Sequence, residues 1–170
     1  MAVKSLIETV TVGAGGVTSI VFSNIAQEAG SDLLVVCSTR SNAASVVSNI
    51  RLYVNGETGG TYPIVYITGN GSSVTAGLSD YSFAGRMNGA NSTAGTFTNT
   101  EAFIYNYTTT GVLTMGINSA AENNATEGLL YMGVQGENTG GPVTSIRLQT
   151  SDSDTIQHHS TVSLYLIKYD

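Results

Sequence analysis

The sequence is short of charge. Asp, Glu, Lys and Arg make up 11% of its 170 residues, against about 25% in an average globular chain. The bases Lys4, Arg40, Arg51, Arg86, Arg147 and Lys168 are scattered, and the net charge is −6. A nucleic-acid binder carries a basic patch or stripe, so this spacing argues against that role. Cysteine occurs once, as Cys37, which rules out an intrachain disulfide. Its setting, DLLVVCSTR, reads as a buried strand with a small apolar thiol; a reactive thiol needs an accessible, electropositive site and a partner base. No apolar run approaches the roughly 18 residues of a membrane-spanning helix. The opening stretch MAVKSLIETVTVGAGG lacks the apolar centre of a secretory signal. The expectation is a soluble chain made in the cytoplasm, with no nucleic-acid or membrane partner.

Helical patterning is missing too. No 3.6-residue apolar period is sustained; SNIAQEAGSD (23–32) and SAAENNATEG (119–128) hold one turn each at most. What remains is 41% hydrophobic residues and 20 glycines. That is enough apolar material for one core, under a surface of Ser, Thr, Asn and Gly. Ten β-branched or alternating runs stand out: 6–12, 17–22, 32–40, 50–54, 61–68, 101–107, 111–118, 128–135, 143–149 and 161–169. In the first, Leu6, Glu8, Val10 and Val12 share one phase. Turn residues separate most of the runs. The pattern predicts an all-β, antiparallel jelly-roll-like sandwich of about 8–10 strands, a single domain over residues 1–170 with little helix. Residues 1–5 are expected as an irregular arm. The Gly/Ser/Thr/Asn-rich stretch 69–100 is expected as a long excursion in which only 81–87 pairs. Both are expected as docking elements, and removing 1–5 or shortening 84–96 is expected to leave the fold intact.

Chemistry is hard to find. GNGSS (69–73) has no lysine and no following helix, so it is a turn and not a phosphate cradle. The adjacent His158 and His159 are expected at a strand start, one packed and one exposed, pointing to opposite faces. Neither they with Cys37 nor His158/His159 with Ser160 and Asp154 form a recognisable metal set or triad. Asp152 and Asp154 in SDSD fit a hairpin turn better than a calcium loop. Tryptophan is absent, and Tyr53, Tyr62, Tyr66, Tyr105, Tyr107, Tyr131 and Tyr165 fall in or beside strands, as core or sheet-surface residues would. The Asn-X-Ser/Thr matches at Asn70, Asn91, Asn106 and Asn124 follow from composition. The reading is of a non-enzyme, with no catalytic, cofactor-binding or metal residues and no cofactor.

Four segments, SIVFSNIAQEAGSDLLVVCSTRS, IRLYVNG with the following YITGNGSS, INSAAENNAT and STVSLYLIKYD, carry a resemblance. In this order they resemble the small β-jelly-roll virion proteins of tailed bacteriophages, across most of residues 17–169. The resemblance implies a capsid decoration (cement) protein located in the virion, often a homotrimer, bound to itself and to the major capsid protein. A strand beginning by about residue 6, with no shaft before it, favours decoration. The alternative is a receptor- or carbohydrate-binding tip of a tail fibre or baseplate.

Overall fold

The computed structural model describes residues 1–57, 63–79, 82, 84–124, 129–138, 141–151 and 153–169; for 129–132 and 134–138 it describes the backbone. Twelve strands follow one another, and no helix occurs among the described residues. They are β1 (Ala2–Thr11), β2 (Ser19–Phe22), β3 (Asp32–Thr39), β4 (Val47–Val54), β5 (Ile64–Gly69) and β6 (Val74–Ser79). After these come β7 (Gly85–Asn88), β8 (Thr98–Tyr105), β9 (Val112–Ala121), β10 (Leu129–Asn138), β11 (Ile146–Thr150) and β12 (Thr161–Tyr169). All ten runs read from the sequence are strands; β6 is an addition, and β7 falls at the end of the 81–87 segment expected to pair.

The strands form an eight-stranded sheet, β1-β12-β3-β8-β9-β10-β5-β6, and a four-stranded sheet, β2-β11-β4-β7. Every ladder between the described strands is antiparallel. Remove two hairpins, β5–β6 and β9–β10, and the order becomes β1-β12-β3-β8 opposite β2-β11-β4-β7. That is the jelly-roll arrangement of two four-stranded sheets. Both hairpins add to the same sheet, so it outgrows its partner. β7 packs over β8, β9 and β10, while β1 and β6 stand at the two free edges, largely exposed.

Between the sheets lies one apolar core. Leu33, Val35, Ile104, Leu113, Met115 and Leu164 of the large sheet meet Phe22, Ile50, Leu52, Met87, Ile146 and Leu148 of the small one. Alternation along β8 and β9 is strict, buried against exposed or half-buried, as the period of two requires. One end of the interior is polar, and Asn88 bonds most of it together, although the buried Thr39 hydroxyl has no hydrogen-bond partner among the described residues. Asn88 is fully buried, donates to Thr96 Oγ1 (2.8 Å) and accepts from Thr98 Oγ1 (2.8 Å) and the Glu122 N–H (3.1 Å). Tyr107, also fully buried, donates to the Ala26 carbonyl (2.6 Å) and accepts from the Glu28 N–H (3.0 Å), pinning the 23–31 segment to the core.

Three expectations are corrected. Residues 2–5 are not an irregular arm: they are the first half of β1, paired with Leu166–Tyr169. A bulge between Leu6 and Glu8 shifts the register, so Leu6 pairs with Tyr165 and Glu8 with Leu164. Leu6 therefore lies on the face opposite Val10, although the sequence placed them together. The 69–100 stretch is not a free excursion either. It holds β6, β7 and a loop clamped by Arg40, whose guanidinium donates to the carbonyls of Ala90, Ser92, Thr93 and Thr96 and to the Ser92 hydroxyl. Ala84 and Met87 from this stretch are fully buried, so shortening 84–96 removes part of the core.

The two Asn-Gly turns do different work. Asn55 (φ 53°) and Gly56 (φ 76°) are both left-handed, and the Glu57 N–H closes the turn on the Val54 carbonyl at 3.1 Å. Both signs suit a primed turn, yet this turn joins no hairpin: β4 and β5 belong to different sheets. Asn70-Gly71 does close a hairpin, β5–β6, with Asn70 Oδ1 accepting from the Ser72 and Ser73 N–H groups at 3.1 and 2.8 Å.

Candidate functional site: the outer face of the large sheet

The small sheet covers one face of the large sheet and leaves the other open. Register places a single row of residues across that open face. Leu6 pairs with Tyr165, Tyr165 with Leu34, Leu34 with Phe103, Phe103 with Gly116, Gly116 with Val134, Val134 with Val65 and Val65 with Leu78. The row crosses all eight strands and carries no charged residue.

Most of the exposed large apolar side chains lie here. Leu6, Val65, Ile67, Val74, Leu78 and Val112 are between 53% and 74% exposed. Their strand neighbours Ile64, Leu113, Met115 and Ile117 point into the core. Solvent-exposed β-branched side chains on one sheet face are a patch that needs explaining, where isolated ones are not.

Relief on this face is uneven. Phe103 and Tyr105 form a ridge, their rings 4.8 Å apart and tilted by 40°. Beside it runs a groove of about 490 Å³, floored at Gly116 and walled by Phe103, Tyr105, Val65 and Ile67. A Cβ at Gly116 would meet the Tyr105 hydroxyl at 3.4 Å, so the glycine leaves room without being sterically required. Glu101 and Asn118 mark the groove's polar end and are shared with a second hollow of about 270 Å³, bordered by Val36, Asn99 and Ala120. At the β1 side, Lys4 Nζ sits 3.9 Å from the centre of the Tyr165 ring, a cation–π contact.

The residues singled out from sequence lie away from this face or are used structurally. Cys37 is buried on the core side of β3, and burial pushes its thiol up to about 12. It stays a protonated, inert thiol at neutral pH. His158 and His159 occupy a tight turn before β12, not a strand; His159 has φ 71° and the rings stack at 3.6 Å. Both are exposed on the same side of the turn, so the expectation of opposite faces fails there. Asp152 lies outside the described residues. Asp154 lies in the connection from β11 of the small sheet to β12 of the large one, so the expected hairpin turn is absent; its carbonyl accepts from Thr150 Oγ1 at 2.8 Å. Of the expected tyrosines, Tyr105 and Tyr165 belong to the open face, Tyr66 half-fills the space under Gly77, and Tyr53 and Tyr107 are buried. Tyr62 and the side chain of Tyr131 lie outside the described set.

Among the described residues one carboxylate is buried. Asp32 accepts from the Asn106 N–H (2.6 Å) and from the Tyr169 hydroxyl. That hydrogen bond, with the nearby negative charge, holds the Tyr169 phenol above its usual range. The pair ties the end of β12 to the β8–β9 connection. Among the described residues no group of three or more His, Cys, Asp or Glu is placed to hold a metal ion. Comparison with family models, curated proteins and solved structures gives no match for this chain.

Proposed function

We propose that this chain is a non-enzymatic structural protein of a bacteriophage virion, a capsid decoration module that associates with itself and with neighbouring shell subunits. The observation that carries the reading is the open face of the large sheet: uncharged along its central row and lined by exposed β-branched and aromatic side chains. Such a surface binds by area and shape. The jelly-roll strand order supports the same reading, by analogy of architecture. Binding through apolar area is weakly salt-dependent, since screening acts on charges.

The test is add-back of purified protein to particles that lack it, with occupancy read by gel densitometry and location by cryo-electron microscopy. Saturable binding at regular shell positions, changed less than about threefold between 0.1 and 0.5 M salt, is expected. No particle binding overturns the reading. A second reading, a glycan-binding tip, draws on Glu101 and Asn118 beside the Phe103–Tyr105 ridge. Glycan-array binding lost in Glu101→Gln, with no shell occupancy, decides for it.

A further inference from the structure

We infer that the open face of the large sheet is covered by a second copy of this chain, stacked face to face about a twofold axis that runs parallel to the strands between β8 and β9. This deepens the structural reading by naming the self-association surface.

Three observations select a second copy as the occupant. The first is size. Seven gaps between eight strands at about 4.8 Å give a row about 34 Å wide, and strands of this length give a depth of about 25 Å. The product, about 850 Å², matches the roughly 800 Å² per partner of a standard stable interface.

The second is self-complementarity. A twofold axis between β8 and β9 places the first strand of the sheet over the partner's eighth, the second over the seventh and the fourth over the fifth. The fourth position of the row is Phe103 and the fifth is Gly116. Phe103 of each copy thus lies over the partner's Gly116, the one position of the row with no side chain of its own, where it meets the Tyr105 ring and the groove beside it. Tyr165 lies over the partner's Val65, and Leu6 over the partner's Leu78. An axis perpendicular to the strands would instead set Phe103 on Phe103 and leave both grooves empty.

The third is charge. The row itself is neutral, and off the row Glu101 lies over the partner's Asn118, an uncharged hydrogen-bonding side chain, so the axis sets no carboxylate directly on its own copy. Lys4, at the β1 edge, is directed over the β5–β6 end of the partner, which carries no charged residue in Ile64–Gly69 or Val74–Ser79. The same neutrality would suit many partners; the ridge of one copy over the groove of the other at the centre of the sheet is what favours a second copy.

The proposal is tested on purified protein alone, so its failure is separate from failure of the particle reading. Light scattering coupled to size exclusion, at about 100 μM, is expected to give twice the 17.6 kDa chain mass. Val65→Lys with Ile67→Lys is expected to give the single-chain mass, and Val21→Lys, on the small sheet, to leave the dimer intact. Circular dichroism confirms folding of each variant. Register is read by Leu6→Cys with Leu78→Cys and a bismaleimide reaching about 10 Å, the spacing of stacked sheets. The two sites are about 34 Å apart in one chain, so a link forms only between copies. A cross-linked dimer from the double variant, and none from Leu6→Cys alone, is expected. A single-chain or threefold mass for the wild type, a dimer that survives Val65→Lys with Ile67→Lys, or linking by Leu6→Cys alone overturns the proposal.

Discussion

The two faces of the eight-stranded sheet are made from the same strands and the same residue types, yet they do opposite jobs. Inward, Ile104, Met115, Val35 and Leu164 are buried to within 1% against the small sheet. Outward, one residue along, Tyr105, Val65, Ile67 and Leu78 are about half to two-thirds exposed. Hydrophobic character therefore does not distinguish the faces; coverage does. The inner face holds the fold together, and the outer face is spare apolar surface, free to hold something else.

That contrast is sharp enough to break. The largest effect is expected inside: Ile104→Ala should cost about 2–5 kcal/mol, read as a fall in the urea midpoint. Next comes Gly85→Ala. Gly85 has φ 134°, and a Cβ there would lie 2.7 Å from Ser119 Cβ. Strain and overpacking together should cost about 1–3 kcal/mol by the same measurement. A third test uses pH. Cys37 has a thiol raised from 9.0 to about 12 by burial. The unfolded chain loses this proton first, so above pH 9 the native state binds more protons than the unfolded state. Stability should fall as pH rises from about 9 towards 12, by up to about 1.4 kcal/mol per unit from this group. Cys37→Ala should remove that share of the slope, whatever it costs in packing, and thiol titration of the wild type should proceed only on unfolding. Outside, Gly116→Ala should be neutral or stabilise by about 0.4–1 kcal/mol, through the unfolded chain. The Cβ meets only ordinary contacts at 3.4 Å and beyond. Measuring its melting temperature at low micromolar concentration keeps association out of the comparison. Smallest of all, Ile67→Thr should change stability by less than about 0.5 kcal/mol. A large loss there would mean that the outer face is already covered by the chain's own structure.

The inner face was the more legible in the sequence. Alternation in TNTEAFIY and VLTMGINSAA states which side chains turn inward, and every run identified as a strand is one. β6 was missed because VTAGLS shows no apolar inward phase; its Gly77 leaves room for Tyr66, whose ring atoms lie 2.6 Å from where a Cβ would sit. β7, four residues long and opening on a glycine, was legible only as the end of the 81–87 segment. Neighbourhood was harder still. The Asn55-Gly56 turn looks like a hairpin, but β4 and β5 part to different sheets. The outer row was invisible for the same reason. It exists only when Leu6 meets Tyr165 and Leu34 meets Phe103, and no local pattern announces pairs so far apart in the chain. The histidine pair misled because a turn with φ 71° at His159 breaks the period on which opposite faces depend.

The bulge in β1 has an effect beyond turning Leu6 outward. A long, flat, apolar edge strand is a template for adding further strands, and β1 has ten residues with one free edge. The extra residue interrupts the even spacing of unpaired N–H and C=O groups along that edge. An incoming strand can match the register on one side of residue 7 but not on both. A sheet that has already grown from four strands to eight is thereby given a stopping point, and assembly is steered away from fibril-like edge growth.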